Sequence, residues 1–478
     1  MNAYQMYING EFINYEANQP VYNPATNEIL SYVPEGTVEH AQLALEAANK
    51  AQKSWELLPA VERGNYLHKI ASKIREKAQF LAETITKEQG KLLDLALVEV
   101  NFTADYIDYM AEWARRYEGE ILQSDRVNEM IFIHKLPIGV ISGILPWNFP
   151  FFLIARKMAP ALVTGNTIVL KPSSETPINA FEFAKLVDEV GLPKGVFNLV
   201  SGRGSVIGNE LASNPLVGMV SLTGSVEAGV KIMQAAATNI IKVNLELGGK
   251  APAIVCKDAN IQQAIQYIKN SRIINNGQVC NCVERVYVHR SKYQEFSEKM
   301  AAEMAKVTLG NPLTEKVGMG PLVNLAGVQN AQRLVDNAVS NGATLLTGGG
   351  VSDRGDHFYP GTVVVDCKQD MPIIQEEIFA PVLPIVPYDD LDEAIQYAND
   401  SEYGLTSSIY TENINVAMRA SKEIKFGETY INRENFEAMQ GYHAGWRKSG
   451  IGGADGKHGL EEFLQTKVVY LQYDGNIK

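Results

Sequence analysis

Residues 167–200 read TIVLKPSSETPINAFEFAKLVDEVGLPKGVFNLV, and the rhythm of this stretch decides the fold. A short β-branched run, TIVLK, leads into a helix-like stretch, NAFEFAKLVDEVG, and then into a second β-rich run, VFNLV. Two extended runs joined through a helix form the repeating unit of a parallel sheet, because parallel strands need a long crossover. The pattern continues outward across Val140 to Leu247, with GMVSL (218–222) and IIKVNLEL (240–247) as further strand candidates. The alternation predicts an α/β fold with a doubly wound parallel sheet. A second α/β stretch runs from about Gly249 to Gly441, with APAIVC, RVYVH and VLPIVPY as strands.

The flanks read differently. Helical periodicity dominates the first hundred residues. VEHAQLALEAANKAQKSW (38–55) places Leu43, Ala47, Ala51 and Trp55 on one stripe. The glycine-rich GIGGADGKHG (450–459) reads as a loop. A final strand, TKVVYLQY (466–473), has no helix after it and is expected to pair with another domain or subunit.

Composition narrows the function class. A chain of 478 residues has length for two or three domains. Its net charge of −12 is spread along the sequence and argues against a nucleic-acid partner. The uncharged run from Leu136 to Ala155 approaches the length of a membrane span, but Pro137, Pro146, Pro150 and Asn148 interrupt it. A strand feeding a buried loop is the expectation, and no membrane association. MNAYQMYINGEF at the start lacks the basic and apolar regions of a signal peptide. Four cysteines make no disulfide framework. A reducing compartment, the cytoplasm, is expected.

Two of those cysteines lie together in INNGQVCNCVERV (274–286). One intervening residue strains a Cys280–Cys282 disulfide, and no second Cys/His cluster completes a zinc site, so no metal is expected. Cys256 and Cys367 read as core packing. For Cys280, Gly277 permits close backbone approach, and the amide-rich NNGQ is a polar setting for a thiolate nucleophile. These residues alone leave nucleophile and packing both open. LELGGKAP (245–252) adds Glu246 at the end of an apolar run, where a carboxylate is expensive to bury without a task. Such a group near a thiol is a candidate general base. In ILPWNFP (144–150), two prolines stiffen a loop carrying Asn148. A fixed amide is a candidate oxyanion donor, of a kind that contributes about 3–4 kcal/mol to a transition state.

In the order PWNFP, KPSSETP, SLTGSVEAG, LELGGK, NNGQVCNC, EEIFAPV, the chain resembles the aldehyde dehydrogenase superfamily over nearly its whole length. The resemblance implies a Rossmann-like cofactor domain (1–116 and 138–247) and a second α/β catalytic domain (248–458). It also implies a small β oligomerisation element, made of a hairpin at 117–137 and a strand at 459–478. Cys280 is then the nucleophile, Glu246 the base that activates water against a thioester, and Asn148 the oxyanion donor with the N–H of Cys280. Cys282 is lining.

The implied cofactor is NAD or NADP. GRGSVIG (202–208) departs from the dinucleotide fingerprint in its last gap, and the resemblance puts Gly204 and Asn209 beside the adenine. It puts the pyrophosphate at Gly224 and Ser225, on a helix start. Leu145 and Trp147 also touch the dinucleotide, Lys171 and Ser173 face the adenine ribose, and Glu377 and Phe379 hold the nicotinamide end. Ala380 stands where the family usually has glycine. Ser174 replaces the glutamate of NAD-preferring members. An acid there would repel a 2′-phosphate by about 4 kcal/mol at 4 Å and an effective dielectric of 20. Its loss, with Glu175 one residue on, predicts use of both dinucleotides.

YINRENFEAMQGYHAGWRKSG (430–450) carries Glu434, Glu437 and His443, where most members have apolar residues. With Arg156 and Asn281, Glu437 and His443 match the subfamily acting on lactaldehyde and glycolaldehyde, and would surround a small hydroxylated aldehyde. Other aldehydes such as succinate semialdehyde, acyl transfer to coenzyme A, or a catalytically silent scaffold are the alternatives. The presence of Glu246 favours water over coenzyme A as acyl acceptor. A homodimer or homotetramer, with the hairpin paired to the terminal strand across subunits, follows from the resemblance.

Overall fold

The computed structural model describes residues 3–475. Two large sheets organise them. The first has eight strands in the order Gly450–Ile451, Lys242–Glu246, Val217–Thr223, Val140–Ile144, Thr167–Lys171, Phe197–Leu199, Met6–Ile8, Glu11–Ile13. The five from Lys242–Glu246 to Phe197–Leu199 are parallel. The chain winds outward from Val140–Ile144 through Thr167–Lys171 to Phe197–Leu199. It then returns to build the other half, so a crevice opens where the winding reverses. Leu145, Lys171, Thr223 and Glu246 all lie at the carboxyl edge of this sheet.

The second sheet has seven strands: Thr344–Thr347, Thr362–Val365, Val382–Tyr388, Val283–His289, Ala251–Val255, Thr406–Tyr410 and Glu428–Ile431. All but the first are parallel. Residues 247–250 run directly from the carboxyl end of Lys242–Glu246 to the amino end of Ala251–Val255. The carboxyl edge of one sheet therefore faces the amino edge of the other, and Cys280 sits three residues before strand Val283–His289. The helix Phe152–Val163 is buried on every side, as an all-round apolar helix must be, yet it carries Arg156 and Lys157.

The expected α/β architecture is present, and three details differ. Helix Val38–Trp55 buries Ala41, Ala44, Leu45, Ala48, Ala51, Gln52 and Trp55, while Leu43 is 55% exposed. The apolar stripe is thus rotated towards the alanines, which let the helix approach the sheet. GIGGADGKHG is not a plain loop. Gly450–Ile451 pairs antiparallel with Leu245 and Glu246 on the first sheet, and Gly456–Glu461 is a short helix. Thirdly, the terminal strand Leu464–Gln472 pairs over nine positions with Glu129–Pro137 of its own chain, which also pairs with Glu120–Gln123. The expected pairing of hairpin and strand across subunits is therefore corrected. The strand's backbone groups on that side are already used within one chain. No helix among the described residues is long and apolar enough to cross a membrane.

Candidate active site

A cleft of about 630 Å³ lies between the two sheets, and Cys280, Glu246 and Asn148 all line it. Cys280 is partly exposed, whereas the other three cysteines are buried. Burial pushes the thiols of Cys256 and Cys282 up, to about 11 and about 12. Cys282 donates to the Val279 carbonyl at 2.8 Å and packs as lining. Of the four, only Cys280 has the access that a nucleophile needs.

The turn before Cys280 is built from its amides. Asn275 and Asn276 adopt left-handed conformations (φ 47° and 59°), which asparagine tolerates best after glycine. Asn275 Nδ2 donates to the Asn148 carbonyl at 2.9 Å, and Asn276 Nδ2 to the Pro321 carbonyl at 2.8 Å. Gln278 Oε1 accepts from the Val323 N–H at 2.9 Å. The amide-rich stretch is therefore polar, as its composition implied, but its amides are buried and brace the turn. A Cβ on Gly277 (φ 79°) would lie 2.4 Å from the Ala380 carbonyl carbon, so the close approach is to backbone.

Asn148 is 6% exposed and donates through Nδ2 to the Gln278 carbonyl at 3.1 Å. That bond fixes the carboxamide and leaves its second N–H for the cleft. Its own carbonyl accepts from buried Lys91 at 2.8 Å.

Glu246 ends its strand opposite Thr223, in parallel register, and accepts from Thr223 Oγ1 at 2.6 Å. Its other oxygen, Oε1, is buried with no hydrogen-bond partner. Burial alone would raise this carboxyl. Arg156, Lys157, His443 and the Thr223 hydroxyl more than offset that and hold it below the ordinary carboxylate value. It is an ionised acceptor with one free oxygen.

Around it sits a buried charge cluster. Arg156 donates to Asp455 through Nε at 3.1 Å and Nη2 at 2.6 Å, and to Glu437 at 3.0 Å. Asn281 Nδ2 donates to the second oxygen of Glu437. His443 Nδ1 lies 2.6 Å from Glu428, which also accepts from the Tyr430 hydroxyl. Burial opposes the charge on His443, but Glu428 and Glu437 outweigh it and raise its pKa well above the ordinary imidazole value. Arg156, Asn281, Glu437 and His443 all line the cleft; Glu434 lies outside it, beside Arg433.

The other end of the cleft is lined by Leu145, Trp147, Lys171, Ser173, Ser174, Gly224, Ser225, Glu377 and Phe379. Lys171 is 4% exposed and donates to the Pro172 carbonyl at 3.0 Å. Burial lowers it to about 8, and among the described residues it meets no carboxylate at ion-pair distance. Such a cation suits ribose hydroxyls or a phosphate. The Cβ site of Gly224 has no neighbour nearer than 3.6 Å, and Ser225 caps helix Val226–Ala237 with N–H groups facing outward. This donor set fits a dinucleotide. Gly204 and Asn209 are exposed and do not line the cleft; they lie on the helical segment packed beside Val226–Ala237.

Thr223, Asp455 and Glu428 are not among the residues expected at the site from the sequence. Thr223 was findable from parallel register, since it ends the neighbouring strand as Glu246 ends its own. Asp455 lay in the glycine-rich segment, and only folding brings it 299 residues back to Arg156.

Comparison with known proteins accords with this geometry. The profile of the aldehyde dehydrogenase family matches residues 12–469. Lactaldehyde dehydrogenase of Escherichia coli (strain K12) is 60% identical over 98% of both chains. A crystal structure of lactaldehyde dehydrogenase from Escherichia coli superposes with a TM-score of 0.97, covering 98% of this chain and 99% of that one at 60% identity. The 3,6-anhydro-alpha-L-galactose dehydrogenase of Vibrio sp. (strain EJY3) is 44% identical over 99% of this chain and 100% of its own. With an accessible thiol and a half-satisfied carboxylate lining one cleft between two α/β sheets, and with these full-length matches, the chain belongs to the aldehyde dehydrogenase family, enzymes that use NAD or NADP.

Proposed function

We propose that the enzyme oxidises a small hydroxylated aldehyde, lactaldehyde or glycolaldehyde, to its carboxylate. The observation that carries the proposal is the Arg156–Glu437–Asn281 network and His443 in the wall beside Cys280. These groups offer donors and acceptors to a hydroxyl, and a long apolar substrate would leave them unpaired. Arg156 is engaged by both Asp455 and Glu437, so it has little charge to spare for a substrate carboxylate. That disfavours succinate semialdehyde.

In this reading Cys280 Sγ attacks the aldehyde carbon, and the Asn148 amide with the Cys280 N–H holds the oxygen of the thiohemiacetal. Bound NAD or NADP supplies the hydride acceptor that turns the thiohemiacetal into a thioester. Lys171, Ser173 and Ser174 hold the adenine ribose, Gly224 and Ser225 the pyrophosphate, Leu145 and Trp147 the wall, and Glu377 and Phe379 the nicotinamide end. Gly204 and Asn209 border the adenine from outside the cleft. Glu246 takes a proton from water, whose oxygen attacks the thioester carbon, and the carbon–sulfur bond breaks to release the carboxylate and restore the sulfur. Steady-state reduction of NAD and of NADP, with lactaldehyde and with succinate semialdehyde, tests the assignment. Turnover of lactaldehyde with both dinucleotides is expected, and a clear preference for the semialdehyde would overturn it.

The domain division at 116, 138, 247 and 458 also belongs to this reading, with Gly450–Ile451 reaching back to the first sheet. Four free thiols accord with a cytoplasmic setting. Self-association into a dimer or tetramer is supported by exposed Ile121, Tyr470 and Leu471 on the three-stranded sheet and by exposed Val127 in the turn between two of its strands. Light scattering after size exclusion checks it, and a monomer would refute it.

A further inference from the structure

Outside the reacting cleft, three segments converge on one carboxylate. Glu284, on strand Val283–His289, is 1% exposed. Its Oε2 accepts from Lys250 Nζ at 2.9 Å and from the Ile378 N–H at 2.9 Å. Its Oε1 lies 2.7 Å from Arg272 Nη1 and accepts the Phe379 N–H at 3.1 Å. Arg272 goes on to the carbonyls of Gly277 and Val283, the two ends of the turn that bears Cys280. Lys250 belongs to the linker that enters the second sheet. A buried ion network of this kind adds little stability over apolar packing. What it does here is hold backbone from three places at once.

The segment it holds needs holding. Phe379 has a φ of 55°, a strained conformation for a bulky residue, which persists only where the surroundings impose it. Its ring meets Trp147 edge-on at 5.4 Å, inside the cleft. The neighbouring Glu377 carboxylate fills the space above Gly248, where a Cβ would come within 2.4 Å of it. It also accepts the Gly249 N–H at 2.8 Å.

We propose that Glu284 is a positioning residue for dinucleotide binding, setting Glu377 and Phe379 in register with the Cys280 turn. The inference rests on the reading above that Glu377 and Phe379 meet the nicotinamide end. An electrostatic consequence follows. Glu377 is pushed up to about 7, first by burial and then by the charge of Glu284, while the Gly249 N–H, Lys250 and Arg272 pull the other way. The Tyr403 phenol also faces it. A carboxylate accepts hydrogen bonds from ribose hydroxyls fully only when ionised. Dinucleotide affinity therefore rises as the pH passes upward through about 7.

Titration calorimetry of NAD⁺ binding, from below to above neutrality, tests this on the full chain without turnover. Glu284→Gln offers one acceptor oxygen in place of two and removes a charge. Its affinity should fall about tenfold, with the midpoint of the pH dependence moved down. Lys250→Met keeps the carboxylate and its two N–H partners but removes a cation facing Glu377, so the midpoint should move up while high-pH affinity is kept. A folded Glu284→Gln enzyme that binds NAD⁺ as the native chain does, with the same pH dependence, overturns the inference. If that variant does not fold, an unmoved midpoint in Lys250→Met overturns it. Glu377→Gln with native NAD⁺ affinity would instead sink the underlying reading that Glu377 meets the dinucleotide.

Discussion

Arg156 Nη1 lies 4.0 Å from Glu246 Oε1, close enough to hold that oxygen ionised and too far to occupy it with a hydrogen bond. A water between substrate and carboxylate thus has a ready acceptor. General-base catalysis of this kind typically contributes 10²- to 10⁴-fold. Glu246→Gln should cut steady-state turnover by roughly 10²-fold or more while a first-turnover burst of reduced dinucleotide survives. Stopped-flow absorbance resolves the two, and loss of the burst would place Glu246 before acyl-enzyme formation.

Asp455 carries an acid-side signature. Burial, helped by Glu437 and Glu246, raises its carboxyl to about 6 against the pull of Arg156 and His443. Above that pH it is ionised and braces Arg156; as the pH falls through about 6 it takes up a proton and the brace weakens. The pH profile of kcat/KM for lactaldehyde should therefore show an acid limb near 6, and Asp455→Asn should remove that limb and lower the plateau. An unchanged limb would assign it elsewhere.

In the proposed reading the polar wall of Arg156, Asn281, Glu437 and His443 selects the substrate. His443→Phe replaces a buried, charged ring with an apolar one of similar bulk. It should lower kcat/KM for lactaldehyde by about tenfold or more, the equivalent of one charge-assisted hydrogen bond, and raise it for a longer apolar aldehyde. Competition between the two aldehydes reads the change directly.

In the proposed reading Ser174 lies at the adenine ribose and sets the dinucleotide preference. Ser174→Glu puts an acid where a 2′-phosphate would sit, and a repulsion of a few kcal/mol, reduced by exposure to water, should still lower kcat/KM with NADP⁺ by about tenfold or more. NAD⁺ kinetics should be kept. Equal losses with both would mean that Ser174 acts on the shared ribose contacts.

Much of this was legible in the sequence, for physical reasons. Strand Val382–Tyr388 coincides with VLPIVPY because a fully buried parallel strand is a continuous apolar run. The close backbone approach at Gly277 was expected, although its partner, the backbone at Ala380, was not. The polar wall was half legible. Arg156 was named through the family resemblance, but its partner Asp455 was hidden in a segment read as loop. The bracing role of Asn275, Asn276 and Gln278 was not legible, since composition cannot tell a solvated side chain from one that braces a buried turn. Pairing of Leu464–Gln472 within its own chain was equally out of reach, because strand partners far apart in sequence leave no local trace.

Every step of the proposed reaction depends on a covalent bond to Cys280, which trapping the acyl-enzyme would reveal. Glu246→Gln enzyme is mixed with lactaldehyde and NAD⁺, quenched in acid, digested and analysed by mass spectrometry. A lactoyl thioester is expected on the peptide bearing Cys280, and none when Cys280→Ala is added to the same variant. An acyl group on another residue, or dinucleotide reduction that persists in Cys280→Ala, would contradict it.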